Sequence, residues 1–230
     1  MFPELFTQPT NYFEERVKYP RLKVQLGIVA LVGLAANFWR LWLRNQLGGN
    51  ARVFEGLLVI FTGVGVIEFV VWWLVLTFVM HVLATFLGGR SKYGDLLRLT
   101  GFGFWPMILS GIVFSLGWMQ ALGPYTSGAE TLGQRAGNLR NTSFRQTFQE
   151  FNLWLVKDVS VYSDPALIAA VAVGSFFIIA SGVLWVRAVQ VVTGLEEPRA
   201  ALTAAVPVLI LMFRVFQPIF GASAETAFAL

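Results

Sequence analysis

Apolar positions along the chain gather into five long stretches with no period-2 alternation. The first runs from Val24 to Leu43, uncharged as far as Trp39 and closed by Arg40 and Arg44. The second lies within Leu57 to Leu87, interrupted only by Glu68 and His81. Leu99 to Leu122 and Ala166 to Val186 carry no charge, and the fifth, Leu202 to Phe220, holds Arg214. About 20 residues at ~1.5 Å each cross a hydrocarbon layer of ~30 Å. The missing alternation argues against a membrane barrel. The pattern predicts an all-α polytopic integral membrane protein, a bundle of five transmembrane helices over residues 24–221 with an amphipathic N-terminal segment, 1–23. A long loop, 123–165, separates spans three and four, and Pro106, following Gly101 and Gly103, predicts a kink or broken first turn in the third.

Composition narrows the class. Hydrophobic residues make up 56% of the chain, charged ones 13%, and the mean hydropathy is +0.66. Soluble domains average nearer 45–50% apolar and about 25% charged. An ordinary soluble enzyme, a disordered chain and a disulfide-stapled module, with Cys at 0, are therefore excluded. The lysines and arginines divide nine against seven if the N-terminus is inside, and four of the seven are spread along the one long loop. This favours a cytoplasmic N-terminus and an outside C-terminus in a cell membrane. The net charge of +4 reads as anchoring to anionic lipid, and no concentrated basic patch points to nucleic acid.

Three pieces lie between or before the spans. In the N-terminal one, Asn11 and Glu14 have capping-box spacing and Pro20 would close the helix they open. Such a segment is expected to lie on the bilayer surface. It lacks the apolar core of a signal peptide. Within the long loop, Phe144, Phe148, Phe151 and Leu155 mark one face of an amphipathic helix over 143–161, and Asn141-Thr142-Ser143 is a glycosylation sequon. Thr193 to Arg199 is a tight turn.

The catalytic inventory is thin. One histidine and no cysteine preclude a Cys–His pair or a histidine-rich zinc site from one chain. No His-Glu-x-x-His sequence or phosphate-binding loop occurs. The reading is non-enzymatic, without metal or cofactor. Ionisable groups within the spans are the polar candidates: Glu68, His81 and Arg214. Glu68 and Arg214 fall in the same half of the membrane, so the two either pair across spans two and five and lock the bundle or reach separately to the interface. His81 follows Glu68 by 13 residues, about 220° around a helix, on a different face. Ala170, Gly174 and Ser181 share a face suited to close helix packing in lipid. Trp39, Trp42, Trp105, Trp118, Trp154 and Trp185 sit near predicted boundaries, as an aromatic belt requires.

The stretch from His81 to Pro106 has more individual character. A span ends in Gly88-Gly89, a basic and aromatic turn with Arg90, Lys92 and Tyr93 follows, and Leu96-Leu97-Arg98 opens a helix that meets Pro106. This resembles the Yip domain family, multispanning proteins named for interaction with Ypt/Rab GTPases. Pro9 to Phe13 looks like the start common in prokaryotic members, and Trp185, Gly194 and Ala200-Ala201 resemble the family's ending before the last span. The resemblance implies five spans with the N-terminus inside. Eukaryotic relatives work in vesicle trafficking and bind small GTPases through a long N-terminal region. Here that region has about 23 residues, so GTPase binding is not carried over.

The resulting expectation is a membrane scaffold that binds lipids, other membrane proteins or a second copy of itself. Its docking face would be the turn carrying Gly88, Gly89, Arg90, Lys92, Tyr93 and Arg98, together with 190–199. The Gly-Gly break there is expected to free backbone groups for a partner. The alternative is a small transporter, channel or permease subunit with Glu68, His81 and Arg214 lining one path.

Overall fold

The computed structural model describes residues 3–17, 22–46, 52–90, 92–126 and 164–228, and among these there is no strand. Two short helices, α1 (Pro3–Thr7) and α2 (Pro9–Val17), precede α3 (Lys23–Gln46) and α4 (Arg52–Phe86). A buried helix, α5 (Tyr93–Gly103), leads into α6 (Trp105–Thr126), and α7 (Pro165–Thr193) and α8 (Glu197–Phe228) complete the chain. Five of these are long and apolar enough to cross a membrane: Lys23–Gln46, Gly56–Phe86, Trp105–Pro124, Pro165–Thr193 and Glu197–Phe216.

The five spans close into a ring. Around it α4 packs on α3, α3 on α6, α6 on α7, α7 on α8, and α8 returns to α4 through the loosest seam. Small residues set the close approaches. A methyl at Gly33 would lie 2.7 Å from the Val66 Cα of α4, and one at Gly111 would lie 2.8 Å from the Ala36 nitrogen of α3. On α7, Gly174 and Ala170 face α6, where Ser110 and Gly117 receive them. Contacts between small residues supply the attraction that water would otherwise drive. Outward faces carry Ile67, Phe78, Phe176 and Phe213, each more than half exposed, which is the lipid-facing surface of a multi-pass membrane protein.

The third span starts at Trp105, not Leu99, because the chain breaks at Phe104. Pro106 has no N–H to return to Phe102, and it is tolerated only in the first turn of a new helix. The Phe104 amide turns to the Gly101 carbonyl, 3.3 Å away. Residues Leu99–Gly103 therefore belong to α5, whose side chains from Leu96 to Gly103 are buried apart from Arg98. Packed against α7, α4 and α3, α5 fills the centre of the ring toward the end where the α4–α5 and α7–α8 turns lie. That is the turn end.

Ends of helices follow local rules. Asp164 accepts from the Ala166 amide at 2.7 Å, Pro165 stands at the first position of α7, and Gly194 (φ 69°) closes it. Asn11 does not cap α2. The helix already begins at Pro9, and the Asn11 side chain donates to the Gln8 Oε1 at 3.0 Å. Nor does the N-terminal segment rest only on a bilayer. Leu5, Tyr12 and Phe13 are buried against the protein, with the Tyr12 ring edge-on to Phe102 at 5.5 Å and Arg16 over both rings.

Candidate functional site

At the turn end, Gly88 takes φ 89°, a left-handed conformation that side chains with a Cβ resist. Its amide bonds the Thr85 carbonyl at 3.1 Å, and the Gly89 amide bonds the Ala84 carbonyl at 2.8 Å. This is a Schellman closure of α4. Two further bonds tie it to the other turn: the Arg90 amide donates to the Thr193 carbonyl at 3.1 Å, and Arg199 Nη1 to the Leu87 carbonyl at 3.2 Å. The Ala84 carbonyl, Leu195 and Thr193 each lie 3.0 Å from where a Cβ at Gly89 would stand, so a side chain there would be tightly crowded. The Gly-Gly break thus satisfies its backbone groups internally instead of freeing them, while bringing 88–98 and 193–199 together as one surface.

The side chains on that surface differ in availability. Arg98 pairs with Asp95 at 3.2 Å, and Arg187 with Glu197 at 3.3 Å. Arg90, Lys92 and Glu196 are exposed. Tyr93 reaches back to the Leu74 carbonyl at 3.1 Å, and its burial raises the phenol above its ordinary ionisation range. His81 packs edge-on against the Tyr93 ring, 5.8 Å between centroids. It belongs to this end of α4.

Away from the turn end, at the α4–α8 seam, lies a second polar centre. Glu68 of α4 and Arg214 of α8 form an ion pair, and Trp72 binds both: its Nε1 donates to Glu68 at 3.3 Å and its ring lies 5.2 Å below the Arg214 guanidinium. The heights match because α8 begins at Glu197, five residues before the expected start at Leu202. A cavity of about 300 Å³ opens beside the pair, walled by all five spanning helices. Its polar lining is Asn37, Arg40, Glu68, Ser110 and Arg214; His81 does not line it.

Several functional side chains escaped the sequence reading. Arg40 looked like the interfacial end of a span, yet it reaches inward to the Phe61 carbonyl at 2.8 Å. Trp73 and Thr77 of α4 meet Thr100 of α5 at 3.3 and 2.8 Å, and Trp185 of α7 donates to the Thr100 carbonyl at 3.0 Å. Trp185, Trp39 and Trp118 are accordingly core residues and not part of an aromatic belt; the last two stack at 4.8 Å. Asn141 and the amphipathic stretch 143–161 lie outside the described residues. Among the described residues no cluster of His, Asp and Glu could hold a metal ion.

A ring of five apolar helices, with outward faces rich in large apolar side chains, defines a multi-pass α-helical membrane protein. The chain matches the family model of the Yip1 domain over residues 4–216, and it belongs to that family. The match takes in α1 and α2 as well as the ring. No curated protein and no solved structure matches the chain.

Proposed function

We propose that this protein is a non-catalytic organiser of the cell membrane that holds lipids or other membrane proteins, a second copy included, at its turn end. The N-terminus and the turn end would face the cytoplasm. The observation that carries this reading is the joining of the two turns through Arg90–Thr193 and Arg199–Leu87, which makes a rigid surface out of segments about a hundred residues apart. On it Arg90 and Lys92 stand exposed and Glu196 beside them, a mixed-charge rim suited to headgroups and to polar partner surfaces. GTPase binding is not part of the proposal. The transporter alternative has the cavity in its favour but not His81, which sits against Tyr93 at the turn end.

The chain has no cysteine, so a single one can report on its surroundings. Crosslinking in native membranes from Lys92→Cys should yield one discrete product, abolished by Arg90→Glu. The control is Phe176→Cys on the lipid-facing side of α7. Equal, diffuse crosslinking from both positions would overturn the reading.

A further inference from the structure

Three ionisable side chains converge on the cavity at one height. Arg40 stands 17 residues after the start of α3, Arg214 17 after the start of α8 and Glu68 18 before the end of α4, each about 26 Å from the turn end at ~1.5 Å per residue. Two guanidiniums therefore stand at one height with a single described carboxylate. Glu68 is committed to Arg214 and to the Trp72 indole. Arg40 holds the Phe61 carbonyl with Nη1 and lies over the Trp39 ring at 5.3 Å, and no described carboxylate pairs with it. Among the described residues, the cavity's lining carries an excess of one positive charge amid Trp39, Trp72, Phe114 and Trp118.

A charge in such surroundings is costly unless an opposite charge joins it. The way in also says what could join it. Glu68 and Arg214 keep 37% and 44% of their side-chain surface, at the loose seam between α4 and α8. Flanking that mouth, Ile67 (64% exposed), Val71 (51%), Leu209 (66%) and Phe213 (74%) face the lipid. A molecule entering there comes sideways from the bilayer, so it is amphiphilic, and the excess charge selects an anionic head. We propose that the cavity is a binding site for one anionic phospholipid, its phosphate held by Arg40 and Arg214 and its acyl chains lying along the α4–α8 seam. The site is separate from the turn-end surface and does not depend on it.

Native mass spectrometry of the full chain, released from vesicles of mixed phosphatidylglycerol and phosphatidylcholine, tests this. One phosphatidylglycerol per chain should be retained in preference to phosphatidylcholine. Arg40→Gln should weaken retention about tenfold or more, as loss of a charged hydrogen-bond partner does, and Arg40→Lys should restore part of it. Arg90→Ala/Lys92→Ala should leave in place the one lipid that depends on Arg40, whatever it removes from the turn end, which separates the proposal from the turn-end reading. Equal retention of both lipids by the unaltered protein would overturn it without recourse to any variant. So would retention lost in Arg90→Ala/Lys92→Ala and kept in Arg40→Gln. Displacement of the lipid by inorganic phosphate would assign the site to a soluble anion instead, and overturn the lipid.

Discussion

The indole nitrogen of Trp185 lies 3.0 Å from the carbonyl oxygen of Thr100, 85 residues away in the chain. The bond exists because of the break at Phe104. In a continuous helix the Phe104 amide would serve the Thr100 carbonyl, but it serves Gly101, and the last carbonyls of a helix need other donors. Trp185→Phe keeps an aromatic ring, though a smaller one, and removes the donor to the buried Thr100 carbonyl. The expected cost is about 1–3 kcal/mol, against about 3–5 kcal/mol for Trp185→Ala, which also empties the ring's place. Unfolding of the purified protein in mixed micelles measures both, and equal losses would show that packing alone holds α5.

Backbone conformation at the turn end makes a second, independent prediction. Gly88→Val must enter the left-handed region at φ 89° and should lose about 1–2 kcal/mol, with Gly88→Asn losing less. Gly94 is the contrast: it lies in the first turn of α5 with open space around its Cβ position, so Gly94→Ala should be neutral or add up to about 1 kcal/mol. The same unfolding assay decides. A Gly88→Val variant as stable as the parent would remove the Schellman closure from the account.

Span number and class were legible because a run of about 20 apolar residues has one physical use. The meeting of Glu68 with Arg214 was legible only as one option, since two charges at one depth can pair or reach separately to the interface, and the choice depends on how α8 sits beside α4. Ends of helices were less legible. Leu99 to Gly103 is as apolar as a span, and only the missing N–H of Pro106 and the fit of Gly103 beneath Trp185 separate α5 from α6. Indoles misled for a related reason. Tryptophan serves an interface and a dry core equally well, provided its N–H finds an acceptor, and Trp185 finds its own on a helix far away in sequence. Arg40 hid as a span terminus because its inward reach depends on α4 lying alongside.

Ionisation of the phenols gives a pH dependence. Burial raises Tyr12 above the ordinary tyrosine value of 10.0, outweighing the opposing Arg16, and burial raises Tyr93 likewise. The folded form therefore favours the neutral phenol. Its contribution to stability is complete below the unfolded value near 10 and is lost as the pH climbs from there through the raised folded value. Undocking of α2, read by protease access to residues 3–17, should set in above about pH 10. Tyr12→Phe should move the onset upward. An onset below that range, or one indifferent to Tyr12→Phe, would assign the loss to other groups.

The Glu68–Arg214 pair joins the loosest seam of the ring, so its removal tests how that seam is held. Glu68→Gln leaves Arg214 facing Arg40 with no carboxylate between them, and should cost more than Arg214→Gln, which leaves the Glu68 charge in the field of Arg40. Each is expected to lose about 1–3 kcal/mol, less than a fully buried pair would, because both side chains keep more than a third of their surface. Glu68→Gln/Arg214→Gln removes both charges and should recover much of the loss, so that the double-mutant cycle gives a coupling of about 1 kcal/mol or more. Additive losses would mean that the two charges reach separately to the membrane surface. If Arg214→Gln proved the more damaging, Glu68 would be the group lacking compensation, and the electrostatic balance of the cavity would run opposite to the one that draws an anion in.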